Sequence, residues 1–306
     1  MSVPSEAEPT LSICVPSIGR TQFLPAVRAA ISAQTMQDFE VLVLDNACGP
    51  EARAFFADWE AADERVRVLA VDERVPMFAN FDRGVFAAKG KYVTFFHDDD
   101  VYRHDFAERA VFAMEAAPQV GICGSNFDFI DEHGAQTGTR AWIARDEVWA
   151  GRRYIQTLLT RGKNIVPMSG LVFRREVFSI HGFDIGVSMH WGDLSVLMRY
   201  SEDWDMALLA EPLMAIRRHQ DQASVNTDAL AGYTLRTELM NLYLDGYMQR
   251  HPQEHVFVAD MRRAVARTER NHTALTRILH WTQSMSPKGA EVFLQTARNL
   301  SQRLGF

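Results

Sequence analysis

The sequence predicts an α/β fold, with a mostly parallel central sheet flanked by helices and followed by a C-terminal helical region. From Leu11 to Ala117 short apolar runs alternate with segments of helical period, the pattern of repeated βα units. These runs end in polar residues, so successive strands deliver hydrogen-bonding groups to one rim of the sheet. Beyond residue 228 helix formers dominate and amphipathic spacing replaces the strand pattern. The implied divisions are 1–103 and 104–225 as the two halves of one α/β domain, and 226–306 as the helical region.

Leu11 to Val15 forms the first strand, stopped by Pro16 and the loop Ser17-Ile18-Gly19-Arg20. Phe23, Val27, Ala30 and Ile31 mark a helix between Gln22 and Gln34, with Pro25 tolerated in its first turn. Phe39 to Leu44 is the second strand and ends in Asp45-Asn46. Pro50 opens a helix with Phe55, Phe56 and Trp59 for its buried side. After a strand at Arg67 to Val71, a third helix carries Phe78, Phe81, Val85 and Phe86 on one face, with Gly90 as its stop.

Tyr92 to Phe96 then reads as a strand covered on both faces, since Tyr, Val, Thr and Phe favour the pleated backbone and no charge interrupts them. A helix from Asp105 to Ala117 and a mixed strand from Val120 to Ile130 follow. Residues 135–165 are weakly periodic and read as loop and helix; Trp142 and Trp149 there suit satellite packing better than a carbohydrate platform. Met168 to Arg174 reads as a strand, Glu176 to Ile180 as a short helix, and Leu194, Val196, Leu197 and Tyr200 as a helix opened by Asp193. Met206 to Ile216 is an apolar run interrupted by Glu211-Pro212. Tyr233, Leu239, Leu242, Tyr243 and Tyr247, then Leu275 to Trp281, then Val292, Phe293, Ala297 and Leu300 give the C-terminal amphipathic patterns.

The chemistry is expected where the central strand ends in His97-Asp98-Asp99-Asp100. In open α/β sheets ligands bind beyond the carboxyl ends of the strands. Three adjacent carboxylates repel one another, by roughly 1 kcal/mol per pair in water and more when desolvated. A hard divalent cation, Mg²⁺ or Mn²⁺, would relieve that repulsion.

The composition narrows the class. A chain of 306 residues with 47% hydrophobic content supports a sizeable core, and a net charge of −7 leaves no basic surplus for a nucleic-acid backbone. Cys14, Cys48 and Cys123 show no CxxC spacing, which suggests a reducing, cytoplasmic setting rather than a disulfide framework. Met1 to Thr10 is polar and acidic, unlike a signal peptide, and no stretch approaches the ~20 apolar residues of a membrane span. Membrane contact is therefore expected to be peripheral, at the inner membrane face. The C-terminal helices suit core packing or a homodimer, and Arg262, Arg263, Arg267 and Arg270 form a modest basic stripe.

The runs at Leu11 to Arg20, at Gln34 to Asn46 and at Gly90 to Asp100 resemble glycosyltransferase family 2, in that order and spacing. The resemblance continues through Met168 to Glu176, Gly182-Phe183-Asp184, Gly192-Asp193 and Arg217 to Ser224. It implies the GT-A fold, with its Rossmann-like sheet, and an inverting transferase using a nucleotide-diphosphate sugar, a UDP-sugar being favoured. Carried over by position, Pro16, Ser17, Ile18 and Arg20, with Asp45, Asn46 and Asn80, would hold the nucleotide, and Asp98 would reach the ribose. Asp99 would be the main ligand of a Mn²⁺ or Mg²⁺ ion, with Asp100 and His219 beside it. Asp193 matches the general base, and Trp191 and Gly192 would face the acceptor, a glycan or lipid-linked glycan as in cell-surface polysaccharide synthesis. Two departures stand out: Asn46 and His97 occupy positions where the family often has Asp.

Two other classes use similar parts. A sugar-nucleotide nucleotidyltransferase would usually carry a glycine-rich basic loop after the first strand, where Ser17-Ile18-Gly19-Arg20 offers one glycine. A non-catalytic binding protein of the same fold would have no need of both Asp99 and Asp193.

Overall fold

The computed structural model describes residues 8–162, 164–179, 181–183, 192–219 and 229–283. The chain divides into two compact units, Met1–Leu158 with Lys163–Asn226, and Leu159–Gly162 with Thr227–Phe306.

The first unit begins with β1 (Leu11–Ser17), α1 (Leu24–Ser32), β2 (Phe39–Asn46), α2 (Pro50–Ala62), β3 (Val66–Val71), α3 (Met77–Ala87) and β4 (Tyr92–Phe95). It continues through β5 (Val101–Tyr102), α4 (Phe106–Glu115), β6 (Val120–Ile130), β7 (Gln136–Arg140), β8 (Glu147–Trp149), α5 (Gly151–Arg161), β9 (Val172–Arg174), α6 (Gly192–Tyr200) and β10 (Asp205–Arg217). The sheet runs β3-β2-β1-β4-β9-β6-β10-β5. Strands β3, β2, β1 and β4 are parallel, as are β6 and β10; β9 lies antiparallel between these two blocks. The expected α/β class holds, and the parallel block sends the ends of β1, β2 and β4 to one rim.

Every residue of β2 and β4 is buried, which is why apolar residues dominate both strands. Leu24, Val27 and Ile31 of α1, Phe56 and Trp59 of α2, and Phe106 and Met114 of α4 join Ile13, Val15, Val41 and Val43 in one core. Helix α1 lacks a side-chain cap, worth about 1 kcal/mol, yet its three buried apolar residues contribute about 1.5–3 kcal/mol each. Packing therefore outweighs capping in holding α1.

Helix α3 corrects the reading of its face. Phe78 and Phe81 are buried as expected, but Phe86 is 88% exposed. Gly84 takes the sheet-facing place, because a Cβ there would lie 2.8 Å from Cys14 Sγ and 3.0 Å from Leu44 Cδ1. Gly90 does not stop the helix, which is capped at Ala88; it lets the chain pass the backbone of Ser12, 2.6 Å from where a Cβ would be.

Three further readings are revised. Met168–Gly170 is a 3₁₀ turn rather than strand, so β9 is confined to Val172–Arg174. The stretch read as loop and helix contains β7 and β8, and β7, Gln-Thr-Gly-Thr-Arg, is mostly exposed and carries no apolar alternation to betray it. Glu211-Pro212 does not split β10: the strand absorbs them in a register shift between Leu209 and Met214, and Glu211 pairs with Arg103 and Arg109. Trp149 is buried, with Nε1 donating to Glu147 at 2.7 Å, and Trp142 packs against the main core.

In the second unit α7 (Ala229–Arg250) and α8 (His255–Gln283) pack through Tyr243, Leu244 and Tyr247 with Phe257, Val258 and Met261. Leu242 is 63% exposed and lies off this seam. Leu275 to Trp281 fall within α8, while Val292, Phe293, Ala297 and Leu300 lie outside the described residues. Among the described residues no helix is long and apolar enough to cross a membrane.

Candidate functional site

The rim where β1, β2 and β4 end gathers the polar residues expected there. Ser17, the last residue of β1, donates from its hydroxyl to Asp98 at 2.6 Å and accepts the Gly19 N–H at 3.0 Å. Arg20 Nη1 lies 2.8 Å from Asp98 and 3.2 Å from Asp99. His219 Nε2 lies 3.1 Å from Asp99 Oδ2. Asp100 accepts the Arg217 backbone N–H at 3.0 Å. Arg20, the three aspartates and His219 are therefore one connected set, although they come from three distant stretches of chain.

Asp98, Asp99 and Asp100 are all buried, and burial is the leading influence on Asp98 and Asp100. It raises the Asp98 carboxyl, while the Ser17 hydroxyl and Arg20 pull the other way. It pushes Asp100 up to about 7, helped by the negative charge of Asp99. Burial also lowers the His97 imidazole. His97, Asp99 and Asp100 each place one ligand atom within 4.8 Å of the others. An excess of buried negative charge beside imidazole nitrogens is a donor set that fits a divalent cation.

At the end of β2 the Asp45 carboxylate accepts the Cys48 N–H at 2.7 Å and pairs with Arg53 Nε at 3.1 Å. This shapes a tight turn in which Ala47 has a φ of 55°. Asn46 pins the loop before α3 by exchanging two hydrogen bonds with the Val75 backbone, at 2.9 and 2.8 Å. A carboxylate there could accept the Val75 N–H but not donate to its carbonyl, which accounts physically for an amide at this position. Asn80 is buried on α3 and accepts from Arg83 at 2.6 Å. Cys48 Sγ donates to the Ser17 carbonyl at 3.3 Å, tying this group to the acidic one. Pro16 is half-buried in β1, and Ile18 is exposed at the loop tip.

Asp193 sits in the first turn of α6 and keeps partial solvent access. Surrounding protein nevertheless raises its carboxyl, opposed by the Leu194 N–H and the Asn164 side chain. Tyr154 donates to Asn164 Oδ1 at 2.6 Å. Gly192 is buried against Phe78: a Cβ there would fall 2.0 Å from its ring. Trp191 lies outside the described residues.

Sequence reasoning passed over Tyr154, Asn164 and Ser169, which stand beside Asp193 and Asp100. The first two lie in the weakly periodic stretch, where nothing local marks them. Arg217 was legible only as a neighbour of His219. In the structure it is buried, donates from Nε to the Asp99 carbonyl at 3.0 Å, and lies over the Phe23 ring.

A parallel block with acidic residues clustered at its carboxyl rim defines an α/β protein with its candidate site at the strand ends. Residues 12–180 match glycosyl transferase family 2, more than half of the chain, and the protein belongs to that family. It is 24% identical over 232 residues to an uncharacterized glycosyltransferase of Haemophilus influenzae, covering 71% of each chain. Among solved structures it resembles S. aureus TarS 1-349 in complex with UDP-GlcNAc, with a TM-score of 0.65 and 12% identity over 91% of this chain and 77% of that one. The mannosyltransferase PcManGT from Pyrobaculum calidifontis, in complex with GDP-Man and Mn²⁺, gives a TM-score of 0.57 and 15% identity over 96% of this chain and 81% of that one. The fold is thus that of the GT-A glycosyltransferases, and the chain is a glycosyltransferase.

Proposed function

We propose that this glycosyltransferase is metal-dependent and inverting, and moves a sugar from a nucleoside-diphosphate donor to a hydroxyl of a glycan or lipid-linked acceptor in cell-surface polysaccharide or glycoconjugate synthesis. The observation that carries the reading is the convergence of Asp98, Asp99 and Asp100 with Arg20 and His219 at the strand ends. Sugar nucleotides in both solved neighbours support the donor class. Ser17, Arg20 and Asp98, with Asp45, Asn46 and Asn80, bind and orient the nucleotide. Asp99 is the principal metal ligand, with Asp100 and His219 beside it. A divalent ion held by these residues would supply Lewis-acid stabilisation to the departing diphosphate.

Asp193 takes the proton of the acceptor hydroxyl. As that oxygen bonds to the anomeric carbon, the bond from this carbon to the diphosphate oxygen breaks and its electron pair leaves with the nucleotide. One in-line displacement inverts the anomeric centre. Burial raises the Asp193 carboxyl, so its ionised form is a stronger base than an exposed aspartate.

The test is thermal unfolding with UDP, GDP, CDP and dTDP, each with and without Mn²⁺ or Mg²⁺. A ligand that binds the folded state raises its stability by mass action. Stabilisation by one diphosphate that needs metal, and is lost in Asp99→Ala, is the expected result. No stabilisation by any of them would favour a non-catalytic binding protein.

A further inference from the structure

One partly buried residue in the acidic cluster has no role in this reading. His97 Nε2 is closed off from solvent and has no hydrogen-bond partner. A buried polar atom left unpaired costs about 1–3 kcal/mol, so its placement calls for an explanation. The residue is firmly set: its backbone N–H donates to the Tyr102 hydroxyl at 2.8 Å, and Tyr102 stacks on Phe96 with ring centroids 3.6 Å apart. The Phe81 ring braces the imidazole at 5.8 Å. The chain turns at Asp98 and Asp99, just past the end of β4, and His97, Asp99 and Asp100 each offer a ligand atom within 4.8 Å of the other two. Around one octahedral Mn²⁺ or Mg²⁺ ion adjacent ligands are roughly 3 Å apart and opposite ones roughly 4.2 Å, so the three side chains close on an ion by drawing together.

We propose that His97 ligates the cation held by Asp99 and Asp100 through Nε2, and that this nitrogen makes the site select Mn²⁺ over Mg²⁺. The inference rests on the reading of the acidic cluster as a metal site. Mg²⁺ is hard, strongly hydrated and best served by oxygen, whereas imidazole suits transition metals. A histidine where a carboxylate is expected also removes one negative charge, which weakens a cation held chiefly by charge more than one that bonds to nitrogen. Acting as a ligand through Nε2, the neutral ring carries its proton on Nδ1.

The experiment uses the full chain with Mn²⁺ and either UDP or GDP as probes. Free Mn²⁺ is followed by electron paramagnetic resonance, Mg²⁺ is the competitor, and pulsed measurements detect nitrogen bound to the ion. Wild type should bind Mn²⁺ and show the nitrogen signal, and His219→Ala should retain that signal. His97→Gln should lose it and bind Mn²⁺ about 10- to 100-fold more weakly. His97→Asp should bring the affinities for Mg²⁺ and Mn²⁺ closer together. Mn²⁺ binding lost in Asp99→Ala but unchanged in His97→Gln would overturn the role of His97 and leave the metal site standing. Absence of Mn²⁺ binding by wild type with either diphosphate would overturn both. Should His97→Gln fail to fold, the nitrogen signal in His219→Ala decides: its absence there overturns the proposal.

Discussion

Arg217 holds both Asp100 and Asp99, one through its backbone and the other through its side chain. Its backbone N–H donates to the Asp100 carboxylate and its Nε donates to the Asp99 carbonyl, each at 3.0 Å. Its Nη1 donates to the carbonyls of Asp131 and Glu132, both at 3.1 Å. The end of β10 thereby fixes the loop that carries the acidic cluster.

Arg217→Met keeps the stem and removes every side-chain donor. Carbonyls left unpaired in a buried setting should lower stability by about 2–4 kcal/mol, read from urea unfolding at unchanged m. Arg217→Lys should recover only part of this, because one ammonium cannot span the carbonyls that the planar fork reaches. Equal stability of Lys and wild type would show that charge alone matters.

Asp100 makes the metal-free protein less stable as pH rises. Its folded carboxyl titrates at about 7, against 3.8 ordinarily. Between those values the unfolded chain has released the proton and the folded chain has kept it, so stability falls by up to about 1.4 kcal/mol per pH unit. His97, lowered by burial, acts oppositely below its ordinary 6.5, where the unfolded imidazole gains a proton first. Comparison with Asp100→Asn isolates the first effect, because both proteins keep His97. From pH 5 to 7.5 without metal, wild type should lose about 2–3 kcal/mol relative to the variant. Parallel stability curves would contradict this.

Asp193→Asn is nearly isosteric and should lower kcat by about 10²- to 10⁴-fold while leaving diphosphate binding unchanged. Asn164 pulls the raised Asp193 carboxyl back down, so Asn164→Ala should raise it further. The acidic limb of the kcat/KM profile should then shift to higher pH, with activity at pH 6 falling more than at pH 8. A uniform loss across pH would mean that Asn164 only supports the fold.

Much of this was legible in the sequence because strand ends are legible. A run such as Tyr92 to Phe96 is buried on both faces, and the residues just beyond it must lie at the rim, so the acidic cluster could be located without coordinates. Covered faces signalled by absence were missed: Gly84 replaces Phe86 beneath α3, and glycine leaves no mark in a hydrophobic pattern. Strand β7 was missed because its exposed polar residues are held by pairing with β6 rather than by burial. The partners of Asp193 and Asp100 were hidden for a different reason. Tyr154, Asn164 and Ser169 reach the site through tertiary packing, and single-chain spacing carries no information about that.

Gly192 offers the most direct test that α6 is held in place by shape. A Cβ at this position would lie 2.0 Å from Phe78 Cε2 and 2.6 Å from its Cζ, so Gly192→Ala forces either the ring or the first turn of α6 to move. Phe78 is poorly able to yield, since it is buried, packs edge-on to Phe81 at 6.0 Å and stacks on Phe183 at 6.3 Å. The helix should shift instead, carrying Asp193 with it, and a displacement on the order of 1 Å can lower the rate about 10²-fold. Overpacking should also reduce stability by about 1–3 kcal/mol. Phe78→Leu removes the clashing ring atoms, so the double variant should regain a large part of kcat even though Phe78→Leu alone leaves a void. Strict additivity of the two losses would show that Gly192 and Phe78 act independently, and that the position of Asp193 is set by other contacts.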